Sequence, residues 1–425
     1  MGNKEESVRK LIASAVVLVA ALALTVPGAL GGASQTPGVT AKTITIGGTL
    51  PLTGPAAAYS PIVLGLKTYF TWINARRGSD GKRGVMGRQI VYKVYDDGYN
   101  PANTTQLTRR LVEQDKVFAT VGQLGTEPVL ATRAYLNQQK VPQVLVATGA
   151  SYWGLQYKDY PWTIGFQPDY IAEGRLYGLH IKANHAGQKI AILYQNDDYG
   201  MDYLYGVKAA LGSNYVKANV VAEEPYEVTA TTIASQMAKI KASGAPVFLI
   251  LGLPGFTIQA YAFGKGLGYK PEQIYVNSVG ATAVFLNIAV QRAGADYVNG
   301  SITINYLKDP SNPAQGNDAA IQEYRRIMEK YSPSANASNQ LYIYGFALAD
   351  TFVQAMYKAG KNPTRAGLMN ALLSLNSTNR FALPGAIMKT SKGDHFIISQ
   401  MRLQRFDNGV WSLFGPLVEG RPGRP

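Results

Sequence analysis

The chain has no cysteine, only three histidines and only four tryptophans among its 425 residues. Without a thiol there can be no disulfide, no cysteine-ligated zinc, no iron–sulfur cluster, no thiol nucleophile and no lipid-anchored cysteine after a leader. Charged residues are scarce at 16%, while apolar residues reach 46%. That balance excludes a disordered chain, and the length has room for two or three domains with a sizeable core. Beyond the first thirty residues no apolar run approaches the roughly 20 residues of a spanning helix.

Enzymatic signatures are missing as well. "GGTLPLTG" at 47–54 follows the first strand but lacks the G-x-G-x-x-G spacing of a dinucleotide fingerprint. "AYAFGKG" around Lys265 lacks the first glycine and the closing Ser/Thr of a phosphate-binding loop, and no G-x-S-x-G occurs. His180 and His185 do not share a helix face well, and His395 stands alone. The carboxylate pairs Asp96–Asp97, Asp197–Asp198 and Glu223–Glu224 follow strands and read as turn and solvent groups rather than acid–base pairs. An enzyme is therefore disfavoured, and neither a cofactor nor a metal is expected.

What the chain does hold is basic charge, 41 Lys+Arg against 27 Asp+Glu, for a net +14. Such an excess ordinarily suggests nucleic acid or an anionic surface. Here it is spread over positions such as Arg109, Arg110, Arg325, Arg326, Arg421 and Arg424, with no interleaved aromatics. It reads as solubility charge, and no nucleic-acid partner is expected. The charged stretch 4–10, the sixteen apolar residues 11–26, the break at Pro27–Gly28 and the small residues to Ala33 follow the order of a secretory signal peptide over 1–33. Cleavage is expected near Ala29 or Ala33, an uncleaved anchor being the alternative. The mature protein is then expected outside the cytoplasm, in a periplasm or extracytoplasmic space.

Strand-like and helix-like segments alternate from residue 44 onward. "ITIGGTL" reads as a strand, and Ser60–Pro61 opens a helix with Ile62, Leu66, Phe70 and Ile73 at helical spacing. "QIVYKVYDD", "VFATVG" and "PQVLVATG" are further strands, and Thr126 can cap the helix that holds Pro128. After Pro161 the rhythm restarts with "KIAILYQ", "ANVVAEEPY", "PVFLILG" and "QIYVNS", and a helical tail runs from 319 to 375. Continuous apolar strands suit parallel sheets covered on both faces. The fold class is α/β: two Rossmann-like, doubly wound lobes joined by a hinge of short crossovers.

Ligands of such sheets bind beyond the carboxyl ends of the strands, where loops enter helix N-termini. Candidate positions in the first lobe are Tyr59 in "LPLTGPAAAYS", Gly125 and Thr126 in "GQLGTEP", and Ala147, Thr148, Gly149 and Ser151 in "VATGASYWG". Small residues let the backbone approach a ligand, and free N–H groups at a helix start favour a carboxylate. The facing lobe offers Tyr199, Gly252 and Ser278, and the helical tail adds Tyr342.

Taken together, "ITIGGTLPLTGPAAAYS", the glycine-rich turn before "QIVYKVYDD", "VFATVGQLGTEPVLATRAYLNQQKVPQVLVATGAS" and "KIAILYQNDDYGMDYLYGVKAAL" resemble the periplasmic solute-binding proteins of branched-chain amino-acid ABC transporters. These are the leucine/isoleucine/valine-binding type, and the resemblance runs from about 43 to about 409. It implies a type I periplasmic binding fold with lobes that are not contiguous in sequence, 43–165 plus 302–387 and 166–301 plus 388–425. It further implies a small-molecule ligand, a permease and an ATPase as partners, and membrane contact only through them. It places a ligand carboxylate at Thr126 and the amides of 147–151, with Tyr59 and Tyr199 as cleft tyrosines. Amino-acid-binding relatives carry an acidic residue for the ligand's ammonium, whereas here Ser278 of "YVNSVGA" stands near that place. The expected solute is a small carboxylate- or amide-containing molecule, an amino acid or related organic acid, and the missing acidic residue makes aromatic acids, short acids or amides without an α-ammonium candidates. A sensor on the same fold, a secreted hydrolase and a cationic surface- or nucleic-acid-binding protein are the competing readings.

Overall fold

The alternating segments build two parallel β-sheets in the computed structural model, which describes residues 36–420 except Ser79. The expected signal peptide lies outside the described residues. In the first sheet β1 (Thr43–Leu50), β2 (Gln89–Asp96), β3 (Thr120–Val121), β4 (Gln143–Val146) and β5 (Thr163–Gly165) lie in the order β2-β1-β3-β4-β5, all parallel. In the second, β6 (Ile190–Gln195), β7 (Val220–Tyr226), β8 (Val247–Leu251), β9 (Gln273–Val276) and β10 (Ile302–Asn305) repeat it as β7-β6-β8-β9-β10. The short β11 (Asn376–Ser377) and β12 (Met388–Lys389) pair with each other. β13 (Gln400–Asp407) and β14 (Val410–Leu413) then extend the second sheet antiparallel beyond β10. The inner strands β4 and β8 are buried at every residue, as their unbroken apolar sequences require between two helical layers.

One expected lobe boundary moves. The first lobe was expected to resume at residue 302, but Ile302 pairs with Tyr275 of β9 and Arg405 of β13. The apolar run of β10 finds its covered position in the second sheet. The later helix Gln340–Ala359 packs on Pro61–Ala75, beside the first sheet, through glycines that face each other. A Cβ at Gly65 would lie 2.3 Å from the Tyr342 carbonyl oxygen, and one at Gly345 would lie 2.5 Å from that of Ile62. The two backbones therefore touch directly.

Ser60 precedes Pro61 as expected, yet its side chain makes no cap hydrogen bond. Its backbone is already helical (φ −52°) because the 3-10 turn Ala57–Tyr59 runs straight into the helix. Thr126 is likewise the first helical residue rather than the cap. The cap is Gly125 at φ 99°, where a Cβ would meet the Tyr99 ring at 2.5 Å.

The crossovers between the sheets run side by side. Leu383 N–H donates to Tyr306 O, Ile397 N–H to Gly165 O and Ile398 N–H to Phe166 O. In both sheets the strand order reverses direction beside the first strand, and loops at such switch points are where open α/β sheets hold ligands.

Candidate functional site

Loops from both switch points surround a cavity of about 80 Å³. Of the sequence-based candidates, Tyr59, Gly125, Thr126, Ala147, Tyr199 and Ser278 line it. The other five do not, each for a visible reason. Thr148 lies behind Thr126, its hydroxyl 2.7 Å from the Thr126 hydroxyl. Gly149 is pressed on the crossover: Tyr170 N–H donates to its carbonyl, and a Cβ there would lie 2.2 Å from Pro168 O. Ser151 faces Asp202, giving its N–H (2.7 Å) and its hydroxyl (2.8 Å) to that carboxylate. Gly252 donates its N–H to Asn277 Oδ1, and it is the next residue, Leu253, that reaches the cavity. Tyr342 turns its carbonyl to Gly65, while Gln340, Leu341 and Tyr344 of the same helix turn inward.

Several lining groups escaped the sequence reading. Tyr99 follows the expected Asp96–Asp97 turn by two residues, so the end of β2 was signal enough to find it. Gln167 and Tyr170 sit in the crossover after β5, Asn305 and Tyr306 after β10, and Gln404 in β13. Nothing local marks them; they converge because the crossovers lie side by side.

The lining is rich in tyrosine and free of charge. Tyr59, Tyr99, Tyr170, Tyr199, Tyr306 and Tyr344 contribute rings, and no Asp, Glu, Lys, Arg or His is among the lining residues. Burial pushes the hydroxyls of Tyr59, Tyr99, Tyr199, Tyr306 and Tyr344 well above the usual tyrosine range, so all stay neutral. A relay joins three elements: Tyr344 donates to Gln167 Oε1 (2.6 Å), and Gln167 Nε2 donates to Tyr170 (3.1 Å). Asn277 Nδ2 holds the Tyr199 hydroxyl from the second lobe.

A carboxylate does stand beside Ser278, one layer behind it. Glu173 is 1% exposed and accepts from Ser278 N–H (2.7 Å), the Ser278 hydroxyl (2.8 Å), the Tyr177 hydroxyl (2.7 Å) and the Tyr203 hydroxyl (3.1 Å). Burial raises its carboxyl above the ordinary value, and those four donors pull it back toward the charged form. With its oxygens so occupied, it positions Ser278 and the loop after β9.

The lobes meet around the cavity. The Tyr59 hydroxyl donates to the Val279 carbonyl (3.0 Å), Asp198 N–H donates to Glu127 (3.1 Å), and the Tyr152 hydroxyl donates to Asp198 (3.1 Å). The carboxylate pairs weighed as acid–base candidates serve local structure. Asp96 accepts from the Leu52, Thr53 and Gly98 N–H groups, Asp197 caps the helix Asp198–Leu211, and Glu223 and Glu224 pair with Lys208 and Lys239. His395 contacts the Thr163 carbonyl and His180 the Tyr275 hydroxyl, both away from the cavity lining.

Two doubly wound lobes closed on a shared cavity define a bilobal solute-binding protein of the type I periplasmic class. Residues 43–410 match the periplasmic binding protein family, and the chain belongs to it. It is 22% identical over 331 residues to an amino acid binding protein of Pseudomonas aeruginosa, covering 73% of this chain and 82% of that one. The fold is shared with a substrate-binding periplasmic protein of Ralstonia solanacearum (TM-score 0.77, 21% identity, 87% of this chain and 100% of the other). It is also shared with a branched-chain amino acid ABC transporter protein of Thermus thermophilus with bound valine (0.77, 15%, 90% and 97%). A fatty acid ABC transporter substrate-binding protein of Thermomonospora curvata is similar too (0.75, 21%, 91% and 94%).

Proposed function

We propose that the protein is the extracytoplasmic substrate-binding component of an ABC importer and holds a small carboxylate- or amide-containing solute between its lobes. The observation that carries this reading is the enclosed, charge-free cavity formed jointly by the carboxyl ends of two doubly wound sheets, with Tyr59 of one lobe bonded to Val279 of the other. Binding rather than bond-making is the activity, because no carboxylate, histidine or lysine lines the cavity to serve as acid or base and its tyrosines stay neutral. Hinge motion at the side-by-side crossovers opens and closes the lobes, and a permease with its ATPase reads the closed form. Those subunits supply the only membrane contact, and nucleic acid has no part. The relatives described as binding valine, amino acids or fatty acids support a small carbonyl-bearing solute. The absence of a lining carboxylate argues against an α-ammonium, since a buried cation without a partner is costly.

A thermal-shift screen of small acids, amides and amino acids tests the reading. A ligand at 100 times its dissociation constant stabilises by about 2.7 kcal/mol. No response to any compound overturns it.

A further inference from the structure

Two buried polar groups on the cavity wall have no hydrogen-bond partner among the described residues. Asn305, the last residue of β10, is 5% exposed. Its Oδ1 accepts from the N–H groups of Tyr306 (2.8 Å) and Leu307 (3.1 Å) and from Gln340 Nε2 (3.4 Å). Those donors decide which end of the amide is oxygen. The Nδ2 end is buried and has no acceptor among the described residues, and Asn305 lines the cavity. Thr282 stands at the cap position of the helix Ala283–Ala293, where a threonine hydroxyl ordinarily accepts from the first turn. Here it makes no cap bond, and its buried Oγ1 is also unpartnered. Buried polar groups in native proteins are nearly always satisfied, so two orphans on one cavity wall point to a ligand that satisfies them.

Asn305 ends β10, and Thr282 stands in the segment after the adjacent strand β9, at the start of the helix Ala283–Ala293. Asn305 offers only donors, so what it meets is an acceptor. A ligand ammonium would find no carboxylate to pair with, because none lines the cavity and Glu173 is saturated by its own donors. A cavity of about 80 Å³ suits a short ligand, since one of about 150 Å³ already takes up benzene.

Resting on the solute-binding reading above, we propose that Asn305 and Thr282 form a subsite that reads a carbonyl oxygen, of a carboxamide or a carboxylate, at the second-lobe end of a short ligand lacking an ammonium. Thr126 and Ala147 meet the ligand's other end from the first lobe.

Isothermal titration of the full chain and of three variants, Asn305→Asp, Thr282→Val and Thr126→Val, tests this. The probes are butyramide, butyrate, succinamide, β-alaninamide and valine, and unfolding curves without ligand confirm that each variant is folded. Asn305→Asp keeps the oxygen that Tyr306 and Leu307 need but replaces the donor with a second acceptor. Butyramide, butyrate or succinamide is expected to bind the unaltered protein, with butyramide against butyrate separating an amide from an acid ligand. Asn305→Asp is expected to weaken that binding at least about tenfold and to strengthen β-alaninamide, whose ammonium now has a carboxylate. Thr282→Val is expected to weaken the carbonyl ligands about threefold or more. Equal binding to the unaltered protein and Asn305→Asp, with sensitivity kept at Thr126→Val, overturns the subsite and leaves the solute-binding reading standing. Valine binding more tightly than both butyramide and butyrate does the same. No binding of any probe to the unaltered protein overturns both.

Discussion

Asp169 is buried at the start of the helix Tyr170–Asn184, where Oδ1 accepts from Ala172 N–H (2.9 Å) and Oδ2 has no partner. Burial, with the nearby Asp202 adding to it, pushes its carboxyl up to about 8. The folded protein therefore holds a proton at neutral pH that the unfolded chain has released. The stability this provides is complete below the ordinary carboxylate range, falls as pH rises toward 8 and is flat above. Half-buried His180 and buried His395, both lowered, act only below about 6.5. Between pH 6.5 and 8 denaturant titrations should show Asp169 contributing a loss of up to about 1.4 kcal/mol per pH unit. Asp169→Asn, which keeps the cap oxygen, should remove that slope. Glu173 presents the opposite situation, a buried carboxylate with four donors. Glu173→Ala strands the Tyr177 and Tyr203 hydroxyls and the Ser278 groups, so urea unfolding should show a loss of at least about 3 kcal/mol. Glu173→Gln, which still accepts, should cost less.

At the scale of elements, the helix pair Pro61–Ala75 and Gln340–Ala359 carries the tail's contribution to the site. Its contact depends on Gly65 and Gly345, where an added Cβ would lie 2.3 and 2.5 Å from the facing backbone. Gly65→Ala should push the helices apart, cost about 1–3 kcal/mol in chemical denaturation and weaken ligand binding through displaced Gln340 and Tyr344. The pair also shows which parts of the site were legible. Candidates at strand ends of the first lobe, such as Tyr59, Thr126 and Ala147, were found because a β-strand followed by a small-residue loop and a helix start is a local pattern. Tyr342 was named where its helix neighbours 340, 341 and 344 line the cavity, and that rotation is set by which residues touch Gly65 and Ile62 rather than by apolar spacing. Ser60 misled for a related reason, since the turn before it had already begun the helix.

For the whole molecule the decisive contacts are those between lobes. Ser151 gives two hydrogen bonds to Asp202, and the Tyr152 and Tyr59 hydroxyls add one each to the facing lobe. None of the Ser151–Asp202 atoms lines the cavity, so Asp202→Ala should weaken ligand binding about three- to tenfold by favouring the open form. Small-angle scattering of the ligand-free variant should show a larger radius of gyration than the unaltered protein. The +14 charge enters differently. With no cation on the cavity wall, affinity for a neutral solute should stay constant between about 50 and 200 mM salt, whereas phosphate contacts would lose orders of magnitude.

By itself the sequence determined the α/β class, the two-lobe plan and the strand-end loops, because apolar runs, helix spacing and loop glycines act over a few residues. The absence of cysteine excluded its chemistry outright. Only the tertiary structure decided that β10 joins the second sheet, that Glu173 lies behind Ser278, and that Asn305 and Thr282 face the cavity without partners. Those facts depend on separate chain segments packing against one another, most distantly in the Glu173–Ser278 bond between residues 105 apart. No local periodicity records such a meeting, since the burial that produces it belongs to the packed lobes as a whole.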